Sequence, residues 1–204
     1  VRSHFTVRDF YLTEDGSVEF KVEKAGEVKQ SFVKLMKELK PQGFLAVLRS
    51  ADDGLSLIVV RATRIKKFRP LIPFILFLAT IGTVTADGFF RSTNFPGYNT
   101  PIIIILYTLG ILGIIGVHEL GHKVVSAHHG LRSSLPYFIP GIPGALPTFG
   151  AVITSAEPPI NRDSLFDLGV SGPISGLIVT LIVALGGGLT TAAVPLDELT
   201  KQAE

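Results

Sequence analysis

The spacing of apolar positions changes once along the chain. From Val1 to about Ile65 they alternate or recur in short sets. Phe5 to Leu12 and Ser17 to Val22 have strand character, while Val28, Phe32, Leu35, Met36 and Leu39 recur three and four residues apart, the spacing of one helix face. Phe44 to Arg49 and Leu55 to Arg61 are β-rich runs joined by Ala51-Asp52-Asp53-Gly54, a turn signal that predicts a hairpin. Together these predict a small soluble α+β domain over residues 1–65. Beyond Arg69 the apolar residues come in blocks. No charged residue lies from Pro70 to Ala86, from Ser92 to Val117 or from Leu168 to Leu196. Each block approaches the roughly 20 residues that cross a bilayer as helix. The expected fold class is a mainly α membrane protein with about three transmembrane helices, preceded by the α+β domain. Residues 66–204 form the membrane-embedded core, and the chain is read as a piece truncated at its C-terminal end.

Charge sets an orientation for these spans. Arg64, Lys66, Lys67 and Arg69 crowd the start of the first, whereas the loop expected after it offers Asp87 and Arg91. The positive-inside rule then puts the N-terminal domain on the cytosolic side of a multi-pass protein. Lys123 and Arg132 at the inner end of the second span, and Asp197, Glu198 and Glu204 after the third, fit the same orientation. The 204 residues are 47% hydrophobic, with a formal net charge of +2, which offers no basis for binding nucleic acid. There is no cysteine, so thiol nucleophiles and zinc ribbons are excluded and any metal must be held by His, Asp or Glu.

The chemistry sits at the end of the second apolar block. His118-Glu119-Leu120-Gly121-His122 places two imidazoles one helical turn apart on one face, where both can hold a single Zn²⁺. In the known reading of this motif Glu119 is no ligand but the acid/base that takes a proton from the attacking water and delivers it to the leaving amine. A pair of histidines at the membrane interface is the structural alternative, but ionisable residues inside a membrane are functional by default. A catalytic zinc takes three protein ligands and an open position. Asp167, in the first turns of the third span and entering from the same side as the histidines, is the candidate for the third; an acid favoured by the helix dipole is its alternative reading. His128 and His129 are expected at the headgroup level and receive no role.

On these residues the chain resembles the site-2 protease family of intramembrane zinc metalloproteases. The resemblance covers about Leu71 to Ala193 and rests on His118-Glu119-Leu120-Gly121-His122 in a membrane helix, followed by Asn161-Arg162-Asp163, Phe166-Asp167 and Gly172-Pro173. It is greatest for the plastid and archaeal branch with a soluble N-terminal domain. It implies one zinc per chain held by His118, His122 and Asp167, with Glu119 as acid/base. The chain departs from the family at the aspartate, where many members read Asp-Gly and this one reads Asp167-Leu168-Gly169.

Leu135 to Pro159 is apolar, yet its prolines and glycines forbid a continuous helix. It is expected to re-enter the membrane beside the metal, as a sheet or loop does in the resembling family. The stretch from Phe149 through Gly150, Ala151 and Val152 to Thr154 would then offer an edge to an extended substrate. An apolar loop on the membrane surface is the alternative. Asn161 is read either as a hydrogen-bond donor to a substrate carbonyl or as a helix cap. The function expected is hydrolysis of membrane-spanning protein substrates within the lipid bilayer. A membrane-anchored conventional zinc peptidase and a non-proteolytic metal-binding or transporting membrane protein are the alternatives. Oligomeric state and substrate identity are not legible.

Overall fold

In a computed structural model the chain divides into two units, Val1–Lys66 and Lys67–Glu204. The described residues are all except 15, 24–25, 52–53, 63–68, 94–99, 157 and 191–204.

The first unit is an antiparallel four-stranded sheet with one helix. Strands β1 (Val7–Leu12), β2 (Val18–Val22), β3 (Phe44–Ala51) and β4 (Gly54–Arg61) lie in the order β1-β2-β4-β3. Helix α1 (Val28–Leu39) buries Phe32, Leu35 and Met36, an i, i+3, i+4 set, and packs against β3, where the Ala46 amide meets the Met36 sulfur at 3.3 Å. The β3–β4 register is unbroken from Phe44↔Arg61 to Ala51↔Gly54; Asp52 and Asp53 of the expected turn lie outside the described residues.

The second unit holds three helices long and apolar enough to cross a membrane: α2 (Leu71–Ser92), α3 (Thr100–His128) and α4 (Arg162–Thr190). Helix α2 runs past Ala86, where its charge-free stretch ends. Asp87 and Arg91, expected in a loop, lie within the helix, and the Asp87 carboxylate is fully buried. An i, i+4 ion pair of 2.7 Å and partners from elsewhere in the unit let a charge lie inside the bundle where an unpaired one would end the helix. The acidic tail expected after the third span lies outside the described residues.

Helix α3 is central, flanked by α2 and α4. Glycines bring α3 and α4 together: Gly110 meets Val183, Gly113 meets Val179, and Gly121 meets Ser171 and Ser175, whose hydroxyl donates to the Val117 carbonyl at 3.1 Å. Small residues at such spacings let membrane helices approach to backbone contact.

The Pro/Gly-rich segment folds as a β-hairpin, β5 (Tyr137–Ile142) and β6 (Leu146–Val152), packed on α2 and α3. Its base is closed by the Ser134 amide donating to the Thr154 carbonyl, and Lys123 of α3 donates to the Ser134 carbonyl at 3.0 Å. Its tip lies where Tyr107 reaches Asp87, about 24 Å along α3 from Lys123. Proline is tolerated in a two-stranded ribbon, each strand of which leaves one edge unpaired. Gly141 is obligatory, because a Cβ there would collide with the backbone of Leu146, Pro147 and Thr148.

Candidate metal centre and cleft

His118 and His122 sit on α3 one turn apart, as their spacing requires, and their Nε2 atoms face each other at 3.2 Å. Two nitrogens bound tetrahedrally to one ion at about 2.0–2.1 Å lie roughly 3.3 Å apart, so the pair fits a shared zinc. The other side of the His122 ring is fixed by a neighbour. Its Nδ1 lies 2.6 Å from the Leu168 carbonyl of α4, which can only accept, so the proton is on Nδ1 and the Nε2 lone pair is free. An outer partner of this kind orients a metal-binding histidine and raises its basicity.

Helix α4 approaches the histidines through glycine. A Cβ at Gly172 would overlap the His122 ring at Nε2, Cδ2 and Cε1, and one at Gly176 would press on His118 at 3.1 Å. The repeat Ser171-Gly172 and Ser175-Gly176, small residues four apart, was the available signal for this contact, but it does not say what the face meets.

Asp167 is not brought to this pair. Its Oδ2 lies 3.0 Å from Nε2 of His129, the residue just after the end of α3, and half of its side chain is exposed. Among the described residues no group of three His, Asp or Glu converges on one point. Of the expected ligands His118, His122 and Asp167, this arrangement brings together the two histidines and leaves Asp167 on His129. The reason is helical phase. Leu168 turns its carbonyl to the Nδ1 side of His122, and Asp167, one residue earlier and about 100° away around α4, points past it.

Glu119 is buried and opens into a cleft of about 350 Å³. Glu119, His122 and Ser126 of α3 form the floor. Ala151, Val152, Ile153 and Ser155 form one wall, and Leu165, Leu168 and Gly169 of α4 the other. Of the expected substrate strand, Ala151 and Val152 thus stand beside Glu119, whereas the Phe149 side chain is exposed and does not line the cleft. Gly150 makes a bulge: three steps along β6 from Thr148 to Ala151 oppose two on β5 from Pro140 to Phe138, and Gly150 has φ +92°. Only glycine takes that conformation without strain. Thr148 fills the bulge, its hydroxyl donating to the Ile139 carbonyl at 2.8 Å and accepting from the Gly150 amide at 3.1 Å.

Asn161 caps α4. Its Oδ1 accepts from the Ser164 amide at 2.8 Å while its own amide donates to the Ser164 hydroxyl, a reciprocal box. This is the capping alternative, and the cleft lining does not include Asn161.

Three helices are long and apolar enough to cross a membrane, and the middle one carries a His-Glu-x-x-His motif whose glutamate opens into a cleft. The curated relatives that the chain matches are named as zinc metalloproteases. The chain is 29% identical over 153 residues to the Arabidopsis thaliana protein described as probable zinc metalloprotease EGY1, chloroplastic, covering 64% of this chain and 28% of the relative. It is 24% identical over 190 residues to probable zinc metalloprotease EGY2 of Oryza sativa subsp. indica, covering 85% and 34%. Over a shorter stretch of 74 residues it is 32% identical to EGY2 of Arabidopsis thaliana. The chain is similar to these relatives, which belong to the site-2 protease family. The chain spans about a third of the length of the first relatives it matches, 28% and 34%. No family model matches it, and no solved structure does.

Proposed function

We propose that this chain carries the catalytic centre of an intramembrane zinc metalloprotease that cleaves membrane-spanning proteins. The observation that carries the reading is the convergence of the His118 and His122 Nε2 atoms at 3.2 Å beside a buried Glu119 that opens into a cleft walled by β6. Bound zinc would supply a Lewis acid that polarises the scissile carbonyl and lowers the pKa of water. His118 and His122 would hold it, and Asp167, the third ligand that the resemblance implies, is paired with His129 in this arrangement.

Glu119 takes the proton as water attacks the peptide carbonyl, and returns it to the departing amine. Leu168 holds the His122 ring through the Nδ1 hydrogen bond with its Nε2 turned to that of His118, so that both would be available to zinc. Strand β6 pairs with β5 on one side; its other edge has no strand among the described residues, and Ala151 and Val152 bring it beside Glu119. A substrate stretch unwound from its helix would pair there by strand addition, satisfying its backbone where lipid cannot. The hairpin runs alongside α3 for much of that helix, which supports re-entry into the membrane, and the basic residues before α2 support a cytosolic N-terminal domain.

The test is purified protein with a membrane-anchored substrate. Glu119→Gln is expected to keep its zinc while cleavage falls by about a hundredfold or more. His118→Ala or His122→Ala loses both zinc and cleavage. Cleavage by the glutamine variant at the wild-type rate removes Glu119 from the mechanism.

A further inference from the structure

The buried ionisable group that the proposed chemistry does not use is Asp87. It lies on α2, about 18 Å along the bundle from Glu119, judged by its contact with Tyr107 twelve residues before that glutamate on α3. Its Oδ2 accepts from the Arg91 guanidinium at 2.7 Å and from the Tyr107 hydroxyl at 2.5 Å. Its Oδ1 accepts from the backbone amide of Gly144 at 2.8 Å. Gly144 is in the turn of the β5–β6 hairpin, with φ +86°. One carboxylate thus joins two helices and the hairpin tip, and with no exposed surface it leaves no room for water to replace a lost partner.

Thr83, one turn earlier on α2, makes the second attachment, its hydroxyl donating to the Pro147 carbonyl at 2.9 Å. Between tip and base β6 depends on these side chains and on packing, because β5 is its sole strand partner among the described residues. A two-stranded ribbon is marginally stable by itself. Holding the tip sets how far β6 can slide or tilt along α3, and so where Ala151 and Val152 stand relative to Glu119.

We propose that Asp87 is a positioning residue for substrate: by clamping the hairpin tip to α2 and α3 it holds the far end of the same strand at the cleft, where a substrate strand pairs. This rests on the proteolytic reading for its functional consequence, but the clamp itself is measurable without it.

The 204-residue chain has no cysteine, so a nitroxide on Ala145→Cys reports hairpin-tip motion from this chain in lipid nanodiscs. In the Asp87→Ala background the label is expected to become markedly more mobile with zinc content unchanged. Cleavage of a glycine-containing transmembrane substrate is expected to show KM raised about tenfold and kcat within about twofold of wild type, the loss of a buried hydrogen-bond network appearing in binding. Asp87→Asn keeps the Oδ1 acceptor for Gly144 but puts an amide donor where Oδ2 accepts from Arg91 and Tyr107, and is expected to restore part of both. Tyr107→Phe removes one donor and gives a smaller change in the same direction, which secures the test if Asp87→Ala does not fold. An unchanged line shape in Asp87→Ala and in Tyr107→Phe overturns the clamp. A mobile tip with unchanged KM, or equal loss of kcat, KM and zinc that Asp87→Asn does not relieve, overturns the positioning role. If the wild type cleaves no substrate, the proteolytic reading falls, and the line shapes still decide the clamp.

Discussion

Gly172→Ala is the smallest change that reaches the candidate metal centre from outside the motif. The added methyl would occupy the space now held by the His122 ring at Nε2, Cδ2 and Cε1. Neither side yields easily. His122 is held from behind by the Leu168 carbonyl at 2.6 Å, and α4 is held against α3 by Ser175 on the Val117 carbonyl and by Gly121 against Ser171. Overpacking of such a contact costs typically about 1–3 kcal/mol. If the cost falls on the conformer in which His122 faces His118, zinc affinity drops by about tenfold to a hundredfold, at roughly 1.4 kcal/mol for each tenfold. Gly188→Ala on the same helix is the control, because a Cβ there meets nothing within 4 Å. Zinc competition against a chelator of known affinity, in detergent and in lipid, measures the first quantity, and thermal unfolding of the metal-free protein measures the second. Equal zinc affinity and equal melting temperature for Gly172→Ala and Gly188→Ala would refute the claim that glycine is needed there to admit the imidazole.

Asp167→Asn is expected to keep its zinc and to lose no more than about 1 kcal/mol of stability, as for a half-exposed ion pair, with His129→Ala giving a similar small change; loss of zinc from Asp167→Asn in metal analysis would restore it to the ligand set. Asn161→Ala removes the cap of α4 and is expected to cost about 1 kcal/mol by thermal unfolding with zinc content unchanged; a selective loss of cleavage instead would favour the substrate-binding reading. In the substrate, replacing helix-weakening glycine or proline near the cut by leucine is expected to slow cleavage, because each carbonyl of an intact membrane helix is tied to an amide and shielded. Equal rates for leucine and glycine versions, in detergent and in lipid, would refute the need for unwinding.

Local periodicity carried a large part of this protein in its sequence. Alternation set the strands of the first unit, and recurrence at three and four residues set α1 with Phe32, Leu35 and Met36 inward. Absence of charge set three helices of spanning length. The His118–His122 pairing was legible because residues four apart on a helix share a face whatever surrounds them. The density of proline and glycine from Leu135 to Pro159 excluded a helix there, but the hairpin's register, its Gly150 bulge and its attachment to Thr83 and Asp87 required the folded chain.

Contacts between elements were decided by tertiary structure alone. Sequence placed Asp167 at the right end of α4, but the rotational phase of α4 against α3 turned Leu168, Gly172 and Gly176 toward the histidines and sent the carboxylate to His129. Asp87 and Arg91 looked like the end of a span because a charge is costly in lipid. They lie inside the helix because Tyr107 and the Gly144 amide, 20 and 57 residues away, supply the partners that the sequence nearby lacks. Spacing along a chain fixes which residues share a face; only packing fixes what that face meets, because the partners come from distant segments whose depth and rotation no local pattern encodes.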